Sequence, residues 1–195
     1  KRKGKLALDE KFTITHAGSL NDDRNPHAFW KALAELCEDE DFYKDLEIKF
    51  IGQVAPVAIA DLTKCGLLDK LNRVNNLPHN KVLEELMRSQ LLLLPLNDTP
   101  NIDGVVPGKL YEYIGAKRPI VCIGKTTGDA AKIIQETSSG KISGFEDVET
   151  LKATLKSYYD LYKTKTLHIN SKDYDRYSRK LLAGQIAEEL NKISN

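Results

Sequence analysis

The segment Val106-Pro107-Gly108-Lys109-Leu110-Tyr111-Glu112-Tyr113 carries the clearest chemistry in the chain. Pro107 is a helix-starting residue, and Gly108 leaves the first turn unobstructed. The amides of that turn lack intrahelical acceptors, and the helix dipole points its positive end at them. Together they make a phosphate site over Gly108, Lys109 and Leu110. Lys109 adds a full positive charge. Glu112 lies one turn further on, where a carboxylate can accept from two ribose hydroxyls. A second reading stands beside this one. Pro-Gly begins many helices that bind nothing, and Glu at the fourth position is a common dipole partner.

Three other residue types bear on the same chemistry. Arg24 lies in a polar loop after the first strand and can pair with a diphosphate from the opposite side; taken alone, it reads better as a solvated loop arginine. His79 follows Pro78 and either caps its helix, the simpler expectation, or lines a nucleobase pocket. Tyr111 and Tyr113 sit at helical positions, and at least one of them belongs in the core.

Several chemistries are disfavoured. The loop after the first strand reads Gly18-Ser19-Leu20-Asn21, with one glycine, so the dinucleotide fingerprint G-x-G-x-x-G is absent. No G-x-x-x-x-G-K-[ST] occurs either. Cys37, Cys65 and Cys122 are scattered and odd in number, which supports neither a zinc site nor a disulfide framework. Reduced thiols in a cytoplasmic protein are the expectation. His16, His27, His79 and His168 show no metal-pair spacing. No metal site is expected.

Ordered elements must position these residues. Phe12 to Ala17 is β-branched and aromatic and reads as a strand ending at Gly18. Asn25 then Pro26 reads as an N-cap and first helical residue, followed by the apolar face Phe29, Leu33, Leu36 and Cys37. The acidic run Glu38 to Asp41 closes that region. Leu46 to Gly52 alternates as a strand, Ala55 to Cys65 is a helix stopped by Gly66, and Asn72 to Leu77 is a short strand. A helix follows from Asn80 to Arg88. Leu91 to Leu96 is a continuous apolar run, which favours a strand buried on both faces of a parallel sheet. The loop Asn97–Val106 leads to a helix from Pro107 to about Ala116. Then come a strand at Pro119–Gly124, a helix at Gly128–Glu136, a short strand at Gly140–Ser143, and helices at Glu146–Lys163 and about Tyr174–Ile193.

Strands alternating with helices imply an α/β fold with a Rossmann-like, doubly wound parallel β-sheet and helices on both faces. Ligands of such sheets bind at the carboxyl ends of the strands, where strand order reverses. The loops after the strands are therefore the place to look.

Bulk composition fits a globular chain. It has 195 residues, 41% of them hydrophobic, with 29 Lys+Arg against 28 Asp+Glu. The net charge of +1 offers no broad field for nucleic acid or an anionic membrane. The run Leu91–Leu96 is too short to span a bilayer. Lys1-Arg2-Lys3-Gly4-Lys5 is basic, but no long apolar stretch follows it, so it does not read as a secretion signal.

Taken in order, these segments resemble the C-terminal, donor-binding half of GT-B glycosyltransferases, in particular the large retaining family 4. The likeness covers about Phe12 to Asn195. The family's opening strand and Gly-Arg-Leu resemble Gly18-Ser19-Leu20, with Arg24-Asn25 at the spacing of its Lys-Gly pair. Its signature Glu-x₇-Glu-Ala-x-x-x-Gly-x-Pro-Val is similar to Gly104–Ile120; the second Glu falls on Glu112 and the Pro on Pro119. Two positions depart from the pattern. Ser19 stands where the family has Arg, with Lys109 as a replacement charge, and Gly104 stands where it has the first Glu. Asp103, one position off, is the nearest carboxylate, so the catalytic residue stays unassigned.

The resemblance implies a site that binds a nucleoside-diphosphate sugar, UDP- or GDP-linked, for transfer with retention and without a metal or other cofactor. Gly18, Ser19 and Arg24, with the helix start at Gly108, Lys109 and Leu110, would hold the diphosphate. Glu112 would hold the ribose, and backbone at Leu77 and Pro78 would face the base. The family's other Rossmann-like domain, which binds the acceptor glycan or lipid-linked sugar, has no counterpart here. The chain then reads as half an enzyme, expected to be inactive when isolated. Residues 1–11 would be a linker, 12–172 the donor domain, and 173–195 a helix packing toward the other half with Leu181, Ile186 or Leu190 exposed. A cytoplasmic place follows, peripheral to the inner face of the membrane in some family members; no nucleic-acid partner is implied. Two alternatives stand: a non-catalytic nucleotide-binding or regulatory module of Rossmann type, and a sugar-nucleotide epimerase of the same architecture.

Overall fold

The structure, a computed structural model, describes residues 6–169 and Tyr177. The expected helix at Tyr174–Ile193 and its apolar positions fall outside the described residues, apart from Tyr177. Six strands form one sheet: β1 (Phe12–Ala17), β2 (Leu46–Ile51), β3 (Leu71–Val74), β4 (Leu91–Pro95), β5 (Ile120–Ile123) and β6 (Gly140–Ser143). Every pairing is parallel, and the order is β3-β2-β1-β4-β5-β6. This is the doubly wound arrangement expected from the sequence. Chain order reverses between β1 and β4, which pair at Ile14–Leu91 and Thr15–Leu92. The carboxyl ends of these two strands therefore flank the crevice.

Side-chain parity explains how both faces are covered. On one face Phe12, Ile14, Phe50 and Leu93 pack against Trp30, Leu33, Leu155 and Tyr159. These come from helix α1 (His27–Leu36) and the long helix α7 (Val148–Lys163). On the other face Ala17, Ile51, Leu92 and Leu94 pack against Leu110, Tyr113, Ile114 and Ile134. The helices there include α4 (His79–Arg88), α5 (Gly108–Ala116) and α6 (Asp129–Glu136). Every residue of β1 and β4 is buried, as sequences that are apolar or β-branched everywhere but at His16 favour.

The details differ from expectation in several places. Asn25 is not the N-cap of α1; Pro26 holds that position, with no side-chain cap. The Asn25 amide serves the buried Trp30 instead. The indole N–H donates to Asn25 Oδ1 at 2.8 Å, while Asn25 Nδ2 donates to Asp61 Oδ2 at 2.6 Å. A buried indole N–H needs an acceptor, and this one takes the cap residue. The acidic run after α1 opens a further helix, α2 (Glu40–Asp45). Asp39 Oδ1 caps it by accepting from the amides of Asp41 and Phe42, at 2.9 and 3.0 Å. The third strand stops at Val74 rather than Leu77, because β2 ends at Ile51 and the Gly52 amide closes the ladder on Val74 O. His79 does not cap α4; Pro78 is its N-cap, and His79 is exposed in the first turn. Helix α3 (Pro56–Lys64) matches its expected span closely.

Asp9, within the stretch read as a linker, is bonded to the rest of the fold. The Asp9 amide donates to Arg88 O at 2.8 Å, and buried Lys49 donates to Asp9 at 2.8 Å and to Glu85 at 3.0 Å.

Two glycines make opposite predictions about packing. A Cβ on Gly140 would collide with the backbone of Ile120 in β5, whereas one on Gly115 in α5 would meet nothing. Gly140→Ala should lower the unfolding free energy by about 1–3 kcal/mol, through overpacking that the sheet cannot relieve. Gly115→Ala should raise it by roughly 0.5–1 kcal/mol, by reducing backbone freedom in the unfolded chain. Urea unfolding of both variants checks the pair.

Candidate functional site

The site grows from a close approach between β1 and α5. Gly18 follows β1 with φ +112°, a conformation L side chains rarely adopt. A Cβ there would also run into the Lys109 amine, which lies over the glycine. Tyr113 fixes the spacing: its buried hydroxyl accepts from the Ala17 amide at 2.9 Å. Helix α5 therefore enters directly above the end of β1. Among its first amides, that of Leu110 is already bonded to Pro107 O at 2.9 Å. The amides of Gly108 and Lys109 have no backbone acceptor among the described residues. The expected three-amide cradle is therefore a two-amide one, and the Leu110 side chain is core.

Arg24 reaches the same crevice from the other side. It ends a short 3₁₀ turn, and its Nε donates to Asn97 Oδ1 at 2.5 Å. Arg24 and Lys109 line a common cavity of about 130 Å³ with His16, Asn97, Thr99 and Pro107. Neither cation has a carboxylate within ion-pair distance among the described residues. Burial first, then the charge of Arg24, hold the Lys109 amine below the usual lysine range; Glu112 works against them. That is the behaviour of a cation short of counter-charge.

His16 is the residue that sequence reasoning missed. It sits in β1, which was read only as a strand, and was weighed only as one of four scattered histidines. Its ring is 1% exposed and contacts Phe50 edge to face. Nδ1 lies 3.0 Å from Leu93 O and must donate to it, so the neutral ring has a bare Nε2. That nitrogen is buried without a hydrogen-bond partner among the described residues. The one available signal was position: a histidine two residues before the glycine that ends the first strand. Asn97, which orients Arg24, was visible only as a loop residue.

The other expected residues divide. Glu112 is half-buried, one turn into α5, near enough to Lys109 to influence its charge. Ser19 is exposed and borders a second, open cleft of about 710 Å³ with Asn21, Gln53, Arg73 and Asn75. Leu77 packs against the α5 side of the core, and Pro78 is exposed beyond β3. Asp103 is exposed and paired with Lys125 at 2.5 Å. Tyr113 is the core tyrosine; Tyr111 is 38% exposed and meets the Tyr177 ring.

The buried imidazole makes stability depend on pH. Burial first, then Lys109 and Arg24, bring the His16 pKa down to about 4 from 6.5. Between pH 6.5 and about 4 the unfolded chain therefore binds a proton that the folded chain refuses. Stability is full above this window and is lost as pH falls through it, by roughly 3 kcal/mol in all. Unfolding free energies of the wild type and His16→Gln, measured from pH 4 to 7.5, should diverge in that sense, with the variant lacking this share of the slope.

No family model and no curated protein matches the chain. Solved structures do. A glycosyltransferase from Rickettsia africae superposes with a TM-score of 0.73 at 13% identity, covering 96% of this chain and 49% of that one. Anabaena HepE, solved in complex with UDP-glucose, gives a TM-score of 0.68 at 16% identity, with 93% and 49% covered. WaaG, a glycosyltransferase involved in lipopolysaccharide biosynthesis, gives 0.59 at 17% identity, with 86% and 45% covered. The chain thus spans about half the length of the structures it matches. What they share with it is architecture: the six-stranded parallel sheet is the Rossmann-like C-terminal half of a GT-B fold.

Proposed function

We propose that this chain is the donor half of a glycosyltransferase and binds a nucleoside-diphosphate sugar, UDP- or GDP-linked. The observation that carries the reading is the pair Arg24 and Lys109, two cations without carboxylate partners among the described residues, around one cavity at the point where strand order reverses. A diphosphate supplies the missing negative charge. Its oxygens would accept from Arg24, from Lys109, and from the amides of Gly108 and Lys109. Glu112 would accept from the ribose hydroxyls. Gly18 and Ser19 would let the phosphates approach the end of β1, and the backbone at Leu77 and Pro78 would face the base.

The chemical contribution of this half is electrostatic. When the bond from the sugar to the diphosphate breaks, negative charge grows on the leaving oxygen. Fixed cations and helix amides stabilise that charge without reorganising. In this reading the charge is met by side chains and a helix terminus rather than by a bound metal. Transfer proceeds with retention. The acceptor, a glycan or lipid-linked sugar, would be held by a second Rossmann-like domain outside residues 1–195, and the isolated chain would not turn over. Asp103 is the carboxylate offered to the sugar, and its pair with Lys125 must open first. We place the protein in the cytoplasm, peripheral to the inner face of the membrane; among the described residues no helix is long and apolar enough to cross one.

Calorimetric titration with UDP and GDP tests the reading. One of them should bind with a Kd of about 1 mM or tighter. Lys109→Ala and Glu112→Ala should each weaken binding about 10- to 100-fold, as expected on losing a hydrogen bond to a charged group. Absence of binding by both nucleotides, or wild-type affinity in both variants, would overturn it.

A further inference from the structure

The cavity between Arg24 and Lys109 contains a group that the proposed function leaves unused. His16 is 1% exposed, its Nδ1 is committed to Leu93 O, and its bare Nε2 has no partner among the described residues. A neutral ring beside two cations is tolerable; an imidazolium there is disfavoured. An anion placed between the cations reverses this balance. We propose that His16 is a proton-linked ligand of the donor diphosphate: binding draws one proton from solvent onto Nε2, which then donates to a phosphoryl oxygen. This rests on the donor-site reading above.

The surroundings of the ring support the switch. β2 presents uncharged Phe50 to it, and β4 presents the Leu93 carbonyl. The loop after β1 contributes the Ser19 carbonyl, which favours the protonated ring, and Arg24, which opposes it. Helix α5 contributes Lys109, with Glu112 one turn behind. Burial is the largest influence keeping His16 neutral, and Lys109 is the next. A diphosphate would offset both cations and add its own negative charge within hydrogen-bond reach, so the protonated form gains on every electrostatic count except desolvation. The balance is simple: one proton leaves the buffer and forms one N–H bond at Nε2, with no other bond made or broken. The result is a third positive charge against the departing diphosphate.

The sign of the pH dependence follows. The free ring titrates at about 4, and the liganded ring must titrate higher. Affinity is then greatest at low pH and falls as pH rises through the interval between the two values, by up to tenfold per pH unit.

UDP-glucose is the probe, because its diphosphate, esterified at both ends, has no ionisation near neutral pH. Calorimetry of the full chain in buffers of different ionisation enthalpy, from pH 5.5 to 8, counts the protons taken up. We expect uptake at pH 5.5 that declines at higher pH, with affinity declining in step. His16→Gln, which keeps a polar group near the position of Nε2, should bind UDP-glucose with no uptake and a flat pH profile. Should that variant fail to fold, ¹⁵N signals of the wild-type ring give the same answer, with Nε2 passing from bare to protonated on binding. Binding with no proton uptake, uptake that persists in His16→Gln, or an Nε2 signal still bare in the complex would overturn this inference and leave the donor site standing. No binding at millimolar concentration of either UDP-glucose or a GDP-sugar probed in the same way would bring down both.

Discussion

The constraint on which the site depends is the gathering of two like charges beside a buried neutral imidazole. Lys109 and Arg24 lower the His16 pKa, and Arg24 lowers that of Lys109, so the charged forms of His16 and Lys109 are disfavoured by their neighbours. A fold does not drift into such an arrangement, because solvated loops would let the charges separate. Something must hold them, and the structure shows what does. Arg24 is anchored through Nε by Asn97, on the loop after β4. Lys109 is carried by the first turn of α5, and Tyr113 bonds that helix to the Ala17 amide. His16 is fixed to β4 through Leu93 O. All three tethers run to β1 or β4, or to the loops leaving them, which are the two strands flanking the reversal of strand order.

Parity of the strands divides the work. His16 shares the face of Ile14, with Phe50 and Leu93, and so lies among the residues packed by α1 and α7. Ala17 belongs to the opposite face, with Tyr113 and Leu110 of α5. The end of β1 thus touches both layers within two residues, and Gly18 is where they meet. With a positive φ and the Lys109 amine above it, this glycine is required twice, once for backbone conformation and once for space. Close approach of this kind lets a helix terminus from one layer and an arginine from the other face the same volume.

The fold was largely legible, because the strongest strands are also the most buried. Leu91–Leu96 and Pro119–Gly124 announce a sheet covered on both faces, and the spacing of helices between strands makes the sheet parallel. What escaped was decided by partners distant in sequence. Asn25 looked like a cap until Trp30 and Asp61 took its amide. β3 ended early because β2 had no residue left to pair with it. Helix α2 spans six residues with only Phe42 buried, too little for a periodicity to show. The site divides the same way. Gly18, Arg24, Lys109 and Glu112 were marked by type and by place at strand or helix ends. His16 was hidden by its strand, since an inward-facing residue of β1 reads as core, and only the third dimension shows that its outer nitrogen has no partner.

The near-neutral total of +1 therefore says little about how this protein handles charge. Elsewhere on the surface, lysines are mostly answered locally, as in Lys152–Glu35, Lys132–Asp129 and Lys125–Asp103. Such exposed pairs contribute little to stability. At the crevice the balancing carboxylates are missing from where they would matter, and the nearest, Glu112, is set back by a turn of helix. The crevice thus holds two like charges together, and in the reading proposed above a diphosphate would answer them. A field confined in this way selects by shape as well as charge: a diffuse polyanion finds no broad basic face, while a compact anion on a flexible linkage can reach a cavity of about 130 Å³ between Arg24 and Lys109.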